Sequence, residues 1–308
     1  MISICIPVYN YYVYPLVRRL TTQIEQMNAQ EEFEVVCIDD HSNGYHLNQN
    51  MGLVDIAHYL RLSENIGRAR IRNLFLKHTH GEWLLFLDND SQVPEHFLKN
   101  YRKYVDGPDD VIVGGRIYNK HDDDQEHRLR YLYGTEVESR PAEERNQRPY
   151  QSFMTNNFMI RRSVLEQIKF DPRLSKYGHE DTLFGYRLGE AHVPIKHIDN
   201  PVVNGYVETN AEFLNKTIEG VESLVKIYNF MWEDQRFCRS VRLLNFYGQV
   251  RRMKMVGLVY RVFRIFKTPM ENHFASGTAI SIKQFNFYKL GTFIMKIHYD
   301  DKGKKIRK

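Results

Sequence analysis

The chain contains the stretch Trp83-Leu84-Leu85-Phe86-Leu87-Asp88-Asn89-Asp90, in which a run of large apolar side chains ends in two carboxylates. Such a run predicts a strand that is buried on both faces. Residues that follow the carboxyl end of a strand line the ligand site in open α/β sheets. Because Asp88 and Asp90 are two residues apart, they can converge on one hard divalent cation, which can neutralise a diphosphate. The stretch therefore favours a nucleotide-diphosphate site, although an Asp-x-Asp tripeptide also occurs in surface turns and calcium loops.

Length and composition indicate a globular protein of a reducing compartment. The 308 residues, of which 42% are hydrophobic, can form one large domain and a smaller appendage with a substantial core. Cys5, Cys37 and Cys238 lack the spacing of metal ligands and are predicted to be free thiols. An apolar run of about 18 residues is absent, and a strand begins at Ile2 without a charged leader. We therefore expect a cytoplasmic protein.

The formal net charge of +5 is the sum of two unlike parts. Residues 236–308 contain 17 Lys and Arg against 3 Asp and Glu, whereas residues 1–235 contain 26 against 35. An acidic body argues against a nucleic-acid groove in the first part. The basic tail is also rich in Phe, Tyr, Leu and Val, a composition compatible with anionic lipid or with nucleic acid.

The first part of the chain alternates short apolar runs with helical patterns, which is typical of βα units that build a mostly parallel sheet. The strand candidates are Ile2–Pro7, Phe33–Ile38, Trp83–Leu87, Val111–Gly114, Phe158–Ile160 and Ile195–Ile198. Since proline cannot continue a central ladder, the backbone is expected to leave the sheet at Pro7 and to expose Tyr9. Tyr9 could then stack on a base or take a plain packing role.

Two later segments differ from this pattern. Residues 119–148 are densely charged, as in Pro141-Ala142-Glu143-Glu144-Arg145, and predict either a solvated surface excursion or a mobile lid over the acceptor. Residues 211–228 have the apolar spacing of a long amphipathic helix. We therefore predict a catalytic domain over 1–210, with a nucleotide-binding half near 1–115 and an acceptor half near 116–210, followed by a helical, basic region over 211–308.

The second strand ends in Asp39-Asp40-His41-Ser42, which again sets carboxylates at the carboxyl edge of the sheet. A carboxylate there can accept a hydrogen bond from the imide N–H of uracil or thymine, and this bond would discriminate between bases. Alternatively, Asp40 or Ser42 caps a helix.

Five segments, taken in order, resemble those of family 2 glycosyltransferases, which have the GT-A fold, use nucleotide-sugar donors and hold a divalent metal. The segments are Ser3–Asn10, Val35–Ser42, Asn65-Ile66-Gly67 through Arg72-Asn73, Gly81–Asp90 and Gly178-His179-Glu180-Asp181. The resemblance implies a GT-A (Rossmann-like) α/β fold with a mixed, mostly parallel sheet flanked by helices. The basic helical extension would follow this domain.

The resemblance also implies a set of residues for the base and the nucleotide. The main chain at Pro7 and Val8 and the ring of Tyr9 would line the base pocket, and Asp40 would read the imide. Arg72 would lie near the nucleotide. Alternatively, Arg72 pairs with Asp39 or Glu64, and so does Arg68, which lies one turn earlier on the same helix face.

At the end of the donor strand, the resemblance implies a metal site for Mn²⁺ or Mg²⁺. Asp88 would lie near the ribose and the metal, Asn89 would help to bind the nucleotide-sugar, and Asp90 would be the direct metal ligand. Related transferases often add a histidine shortly after a strand like Ile195–Asp199, and Asn204 stands there in this chain. Either His197 replaces it, or Asp90, diphosphate oxygens and water hold the metal, which magnesium tolerates. His197 could equally be an ordinary strand residue.

Sugar transfer with inversion needs a base that takes the proton of the acceptor hydroxyl. In the resemblance that base is Asp181, with Glu180 beside it and with Gly178 and His179 on the acceptor side. Burial next to Glu180 would raise the pKa of Asp181, whereas a helix N-terminus would lower it, and both outcomes stay open at this point. Alternatively, the acidic pair only caps the helix that begins before Leu183.

The tail alternates basic and large apolar residues, above all in Arg251–Lys267. On a helix, its apolar members gather on one face flanked by arginines: Met255, Leu258, Val259, Val262, Phe263 and Phe266. This face fits a membrane interface with anionic lipid or, alternatively, packs against the catalytic domain. Residues 302–308 are expected to form a frayed basic end in either case.

The sequence therefore predicts an inverting, metal-dependent hexosyltransferase that moves a sugar from a nucleotide-sugar, a UDP-sugar first of all, to a glycan or lipid-linked glycan in surface polysaccharide synthesis. The protein would be cytoplasmic, with peripheral contact to the inner face of the cell membrane and without a nucleic-acid partner. One alternative is a sugar nucleotidyltransferase, which normally opens with a Gly-rich phosphate loop, and nothing like that loop follows Ile6. Another is a non-catalytic glycan- or membrane-binding protein on the same fold.

Overall fold

A computed structural model of the chain describes residues 1–299. It divides into two compact units. The first consists of residues 1–119, 138–175 and 180–206, and the second of residues 120–137, 176–179 and the chain from Val207 onward. The predicted domain boundary at residue 210 thus lies close to Val207. The expected frayed end, residues 302–308, is outside the described part of the chain.

The strands of the first unit form two sheets. In chain order they are β1 (Ile2–Val8), β2 (Phe33–Asp39), β3 (His58–Arg61), β4 (Trp83–Leu87), β5 (Ser91–Gln92), β6 (Val111–Val113), β7 (Arg116–Ile117), β8 (Asn157–Arg161), β9 (Ile195–His197) and β10 (Val202–Asn204). The large sheet has the order β3-β2-β1-β4-β8-β6-β9, and the small sheet has the order β5-β10-β7.

The helices are divided between the two units. In chain order they are α1 (Tyr14–Gln26), α2 (Gly44–Gln49), α3 (Arg68–His78), α4 (Phe97–Arg102), α5 (Arg128–Tyr133), α6 (Ala142–Asn146), α7 (Arg162–Gln167), α8 (Glu180–Glu190), α9 (Asn210–Met231), α10 (Gln235–Ser240), α11 (Arg242–Arg252), α12 (Val256–Ser276) and α13 (Ile282–His298). Helices α5 and α9–α13 belong to the second unit. Short 3₁₀ turns lie at Met51–Asp55 and Lys120–Asp122, and a π-helical turn lies at Gly134–Glu138.

Strand β1 lies inside the large sheet and pairs on both sides. It runs parallel to β2 from Ile2↔Phe33 to Val8↔Asp39, and parallel to β4 from Ile2↔Trp83 to Cys5↔Phe86. Strand β8 runs antiparallel to its neighbours β4 and β6. The predicted α/β class with a mixed, mostly parallel sheet is confirmed.

Helices cover both faces of this sheet because its strands send alternate apolar side chains into two cores. Ile4 and Leu85 enter one core, which α1 and α4 complete, and Cys5 and Phe86 enter the other, which α3 and α8 complete. Cys5 and Cys37 are buried free thiols, as predicted. Burial raises the pKa of Cys37 to about 12, so its thiol is inert at physiological pH.

The prediction that the backbone leaves the sheet at Pro7 was wrong, because Pro7 pairs with Ile38 inside β1. The carbonyl of Val8 accepts from the N–H of Asp40 on the β2 side at 2.8 Å. The nitrogen of Pro7 therefore faces the β4 side, where pairing has already ended at Cys5. Since no strand on that side needs an N–H donor, proline is tolerated there.

Most of the described charged side chains in residues 119–148 are exposed, as the prediction of a solvated surface holds, but Arg130 and Arg145 are buried. Arg145 is only 3% exposed. Its guanidinium donates to the carbonyls of Val113, Gly114 and Ile198 at 3.1, 3.3 and 2.8 Å. The Arg145 charge is thus buried against peptide oxygens, a contact that composition does not reveal.

The second unit packs its helices around an aromatic core: Leu129, Phe213, Leu214, Phe263, Phe274, Phe285 and Tyr288. The ring of Phe263 in α12 lies directly over Gly291 of α13, where a larger residue would collide with it. Within residues 1–299, no helix has the length and apolar character needed to cross a membrane.

Candidate active site

The carboxyl ends of β1 and β4 are separated, and this is where the predicted donor motif lies. The two strands stop pairing after Cys5↔Phe86, while the chain connects β1 to β2 on its other side. Such a topological switch point is the usual ligand site of open α/β sheets. Tyr9, which follows β1, is 52% exposed. Its carbonyl accepts from Nδ2 of Asn89, just after β4, at 3.4 Å.

The carboxylates at the end of β2, Asp39 and Asp40, fix the loops around them. Asp39 is buried and accepts from the N–H of Ser42 and the hydroxyl of Tyr59, both at 2.6 Å. Asp40 accepts from the N–H of Ile66 at 2.7 Å and of Gly67 at 3.0 Å. These two N–H groups lie before the first residue of α3, which has no side-chain cap, and Asn43 caps α2, so the alternative in which Asp40 or Ser42 caps a helix was wrong. Burial raises the pKa of Asp40 despite both bonds.

Arg72 of α3 joins the donor motif to Glu180, the neighbour of the predicted base. Its guanidinium lies 3.0 Å from Oδ1 of Asp88 and 3.5 Å from Oε1 of Glu180. Arg72 is 1% exposed, and its Nη1 also donates to the carbonyl of Arg68 at 3.2 Å. The expected partners Asp39 and Glu64 were therefore wrong. The buried guanidinium of Arg72 contacts one carboxylate after β4 and one on α8, and it therefore fixes the distance between the two motifs.

This contact belongs to a chain of alternating charges in the first unit. Arg68 lies 3.9 Å from Glu180, and Arg116 lies 3.7 Å from Asp88 and 3.5 Å from Glu138. The sequence did not point to Arg116 or Glu138, because Arg116 sits on the two-residue strand β7 and reaches the site only through the pairing of β7 with β10. Periodicity carries no signal for so short a strand.

The pKa values of Asp88 and Asp181 are shifted in opposite directions. Burial by itself would raise the pKa of Asp88, but Arg72, Arg68 and Arg116 outweigh it and hold that pKa below its ordinary value. Burial, followed by the Glu180 charge, raises the pKa of Asp181 to about 7. Asp181 accepts from the N–H of Thr182 at 2.6 Å. Desolvation and like charge therefore prevail over the helix N-terminus.

Asp90 lies beside the small sheet. Its carbonyl accepts from the N–H of Gly205 at 2.7 Å, and Asn204 pairs with Ser91 across β10 and β5. Burial, followed by the Asp90 charge, raises the pKa of Tyr11. Asn204, which stands where related chains often have a histidine, donates to the carbonyl of Tyr206 at 2.5 Å and is 4% exposed. The register thus brings Asn204 next to the residue that follows Asp90.

His197 is an ordinary buried strand residue. Its Nδ1 accepts from Arg145 at 2.8 Å, and its Nε2 donates to the carbonyl of Pro149 at 2.9 Å. Burial lowers the pKa of His197 to about 4, so the ring is neutral. Because both ring nitrogens already have partners, the prediction that His197 replaces the missing ligand was wrong.

Oxygen donors at the end of β4 fit a hard cation. Within the described residues 1–299, no group of three or more His, Cys, Asp or Glu side chains is placed to hold a metal ion. Two guanidinium groups already contact Asp88, so the protein would supply Asp90 first. Magnesium and manganese are commonly held by one or two carboxylates, substrate phosphates and water. The donor set is compatible with that mode of binding.

Gly178 and His179 belong to the second unit and have positive φ values of 94° and 65°. A Cβ on Gly178 would lie 2.8 Å from the Cα of Gly220 in α9, so the close packing of the two backbones requires glycine. Burial, followed by the Lys289 charge, lowers the pKa of His179 to about 4. His179 is therefore neutral at physiological pH, and its acceptor-side role stays a prediction.

Comparison with known proteins gives both a family and a fold. The family model described as glycosyl transferase family 2 matches residues 3–169, more than half of the chain. Among curated proteins, poly(ribitol-phosphate) beta-N-acetylglucosaminyltransferase TarP of Staphylococcus aureus (strain N315) is 30% identical over 117 residues. The match covers 37% of this chain and 36% of TarP, so it spans only about a third of that relative.

Similar solved structures cover nearly the whole chain at low identity. TarS of S. aureus has a TM-score of 0.54 at 18% identity over 97% of this chain and 55% of the TarS chain, and its 1–349 fragment has a TM-score of 0.50 at 19% identity over 97% of this chain and 92% of that fragment. The mannosyltransferase PcManGT from Pyrobaculum calidifontis, in complex with GDP-Man and Mn²⁺, has a TM-score of 0.54 at 14% identity over 96% of this chain and 86% of its own. At such identities the likeness is one of fold.

Proposed function

The chain belongs to glycosyl transferase family 2, and on that premise we propose that it is an inverting, metal-dependent glycosyltransferase. The predicted family and the GT-A fold are confirmed. The observation that carries the proposed activity is the position of Arg72 between Asp88 and Glu180, at 3.0 and 3.5 Å. It ties the strand end that would receive the diphosphate to the helix turn that holds Asp181.

The donor is proposed to be a nucleotide-sugar, with UDP-sugars tried first. Tyr9 supports this proposal because half of its surface is open beside the switch point, where a base could stack on the ring. Asp40 accepts two N–H bonds and keeps a further lone pair on each carboxylate oxygen, so it can still accept a hydrogen bond from the imide N–H of a base. The complex of PcManGT with GDP-Man and Mn²⁺ supports a nucleotide-sugar and a divalent cation in this fold.

In the proposed reaction, Asp181 accepts the proton of an acceptor hydroxyl while that oxygen attacks the anomeric carbon of the donor sugar. The bond between that carbon and the diphosphate oxygen breaks, and its electron pair leaves with the nucleoside diphosphate. Mn²⁺ or Mg²⁺ bound near Asp90 would stabilise the charge that develops on the diphosphate. Arg72 acts as a positioning residue, since it holds Asp88 and Glu180 in one geometry and does not reach solvent.

A raised pKa suits the proposed base. A carboxylate with a pKa of about 7 accepts a proton better than an ordinary aspartate and is still largely ionised at slightly alkaline pH. Glu180, 4% exposed and paired with Arg72, contributes to this pKa through its charge. Glu180 would therefore assist Asp181 rather than take the proton itself.

The acceptor is proposed to be a glycan or a lipid-linked glycan of a surface polysaccharide. TarP, which matches a third of its length to this chain, acts on poly(ribitol-phosphate) according to its name, and this supports a polymer acceptor. We also propose a cytoplasmic protein whose basic C-terminal region makes peripheral contact with an anionic membrane and has no nucleic-acid partner. Residues 236–308 contain 17 Lys and Arg but only 3 Asp and Glu, and this positive charge supports the contact.

Donor turnover tests the activity directly. The full chain is incubated with a panel of nucleotide-sugars, with manganese, magnesium or a chelator, and release of the nucleoside diphosphate is measured. We expect one donor to be consumed with a divalent cation, and Asp90→Ala to lower its turnover by on the order of 10²-fold. Asp55→Ala, the same substitution at an exposed carboxylate outside the site, is the matched control.

The two alternatives give different results in the same assay. A sugar nucleotidyltransferase would consume a nucleoside triphosphate and a sugar phosphate and release pyrophosphate. A non-catalytic binding protein would gain thermal stability with a nucleotide-sugar and leave it intact. Either result, or an Asp90→Ala variant with full turnover, would refute the proposed roles.

A further inference from the structure

Helix α12 of the second unit exposes a stripe of large apolar side chains. We call it the α12 stripe: Met255, Leu258, Val262, Ile265 and Phe266, which are 39%, 55%, 38%, 70% and 53% exposed. Residues 258, 262, 265 and 266 recur at helical spacing and therefore share one side of the helix. Isolated exposed apolar residues are ordinary, but a continuous stripe marks a surface that contacts something.

The stripe is not the face that holds the second unit together. The buried residues of α12 are Tyr260, Phe263 and Phe274, and the last two belong to the aromatic core, where Phe274 meets Phe285 edge-on at 5.3 Å. The single face predicted from the sequence was therefore wrong: Phe263 is buried, whereas Ile265, which was not assigned to that face, is the most exposed member of the stripe. Helix α12 thus has two separate apolar sides, one used for folding and one directed to solvent.

The surroundings of the stripe are strongly basic. Residues 236–270 contain nine Lys and Arg and no Asp or Glu. Arg261 and Arg264 are exposed on α12, and Arg251, Arg252 and Lys254 are exposed just before it. Lys267 forms an i,i+4 ion pair with Glu271 at 2.7 Å, beyond the end of the stripe. An apolar stripe flanked by cations matches the boundary between acyl chains and anionic headgroups.

We propose that the α12 stripe docks the protein on an anionic lipid bilayer, with its apolar side chains entering the interface and its arginines facing phosphate headgroups. The inference rests on the peripheral membrane contact of the proposed function and assigns it to a defined surface. A second copy of the chain fits less well, because a symmetric interface would set the same arginines against each other. Nucleic acid would satisfy the cations and leave the stripe in water.

Vesicle binding tests the inference without any need for catalysis. The full chain is sedimented with vesicles of phosphatidylcholine alone or with about 30% phosphatidylglycerol, at low and high salt. We expect binding to the anionic vesicles that weakens with salt. Ile265→Ser combined with Phe266→Ser, and separately Arg261→Glu combined with Arg264→Glu, should each weaken it by about tenfold or more.

A matched control separates the surface from the net charge. Lys283→Glu combined with Lys99→Glu makes the same change in net charge at exposed residues outside the stripe and should bind as the wild type does. Unchanged melting temperatures exclude unfolding of the variants. Donor turnover without vesicles should stay at the wild-type level in all of them, so loss of docking and loss of the proposed activity are distinguishable.

Three results would overturn the inference. The first is an absence of binding to anionic vesicles by the wild type, and the second is equal binding by the stripe variants and the control. The third is a wild-type oligomer in light scattering that the Ile265→Ser, Phe266→Ser variant abolishes while vesicle binding is unchanged, which would assign the stripe to a second copy of the chain.

Discussion

Arginine is used in opposite ways in the two units. Arg72 in the first unit is 1% exposed and contacts two carboxylates, at 3.0 and 3.5 Å. Arg261 and Arg264 in the second unit are exposed and lie in a segment, residues 236–270, that has no acidic residue in its sequence. A buried charge requires a partner in the fold, so it fixes geometry. Exposed charges in a segment without acidic residues keep their attraction for groups outside the fold, which supports the proposed contact with an anionic surface.

The largest expected effect is on the chemistry of the first unit. Asp181→Asn keeps the shape of the side chain but removes its ability to accept a proton. We expect turnover to fall by on the order of 10³-fold, within the range of general-base catalysis. Nucleotide-sugar affinity, measured by calorimetry, should stay near the wild-type value. Wild-type turnover in Asp181→Asn would exclude it as the base.

The next effect concerns how much each side of α12 contributes to the free energy of unfolding. Phe263→Ala should lower the free energy of unfolding by about 3–4 kcal/mol, because the ring is fully buried over Gly291. Phe266→Ala, three residues later and 53% exposed, should change it by no more than about 0.5 kcal/mol. Chemical denaturation of both variants measures the difference. Equal losses would mean that the stripe is part of the structural core.

A third comparison concerns the arginines of α3. Arg72→Met leaves two carboxylates without their shared partner and should lower the free energy of unfolding by about 3 kcal/mol. Arg68→Met, whose side chain is 45% exposed and 3.9 Å from Glu180, should cost less than about 1 kcal/mol. Thermal and urea unfolding of the two variants checks this order. If Arg68→Met lowered the free energy of unfolding as much as Arg72→Met does, the dominant role of the buried Arg72 guanidinium would be contradicted.

The smallest effect is the pH dependence that burial and the Glu180 charge impose on Asp181. Because the pKa of Asp181 is raised to about 7, kcat/KM should rise as the pH passes through about 7 and then level off. Since the unfolded state releases this proton near pH 3.9, the contribution of Asp181 to stability decreases as the pH rises from about 4 to about 7. Melting curves of wild type and Asp181→Asn across this range measure the difference. A flat activity profile down to pH 5 would refute the raised pKa.

The sequence predicted the main strands well because their signal is local. Trp83–Leu87 was predicted with its observed bounds, and Phe33–Ile38 was one residue short of β2. It missed β3, β5, β7 and β10, of which β5 and β7 have two residues each, too few for any hydrophobic period. These short strands nevertheless place Arg116 and Asn204 beside the β4 end.

The sequence by itself determined the family, the α/β class and the order of the motifs, since apolar runs and the carboxylates that follow them are written in adjacent residues. Only the tertiary structure decided which charged and polar groups meet. Arg72 contacts Asp88 and Glu180 rather than Asp39, and His197 contacts Arg145 rather than a metal. It also decided which side of α12 is buried. The physical reason is that ion pairing and burial depend on distances between residues far apart in the chain, and composition and periodicity do not encode those distances.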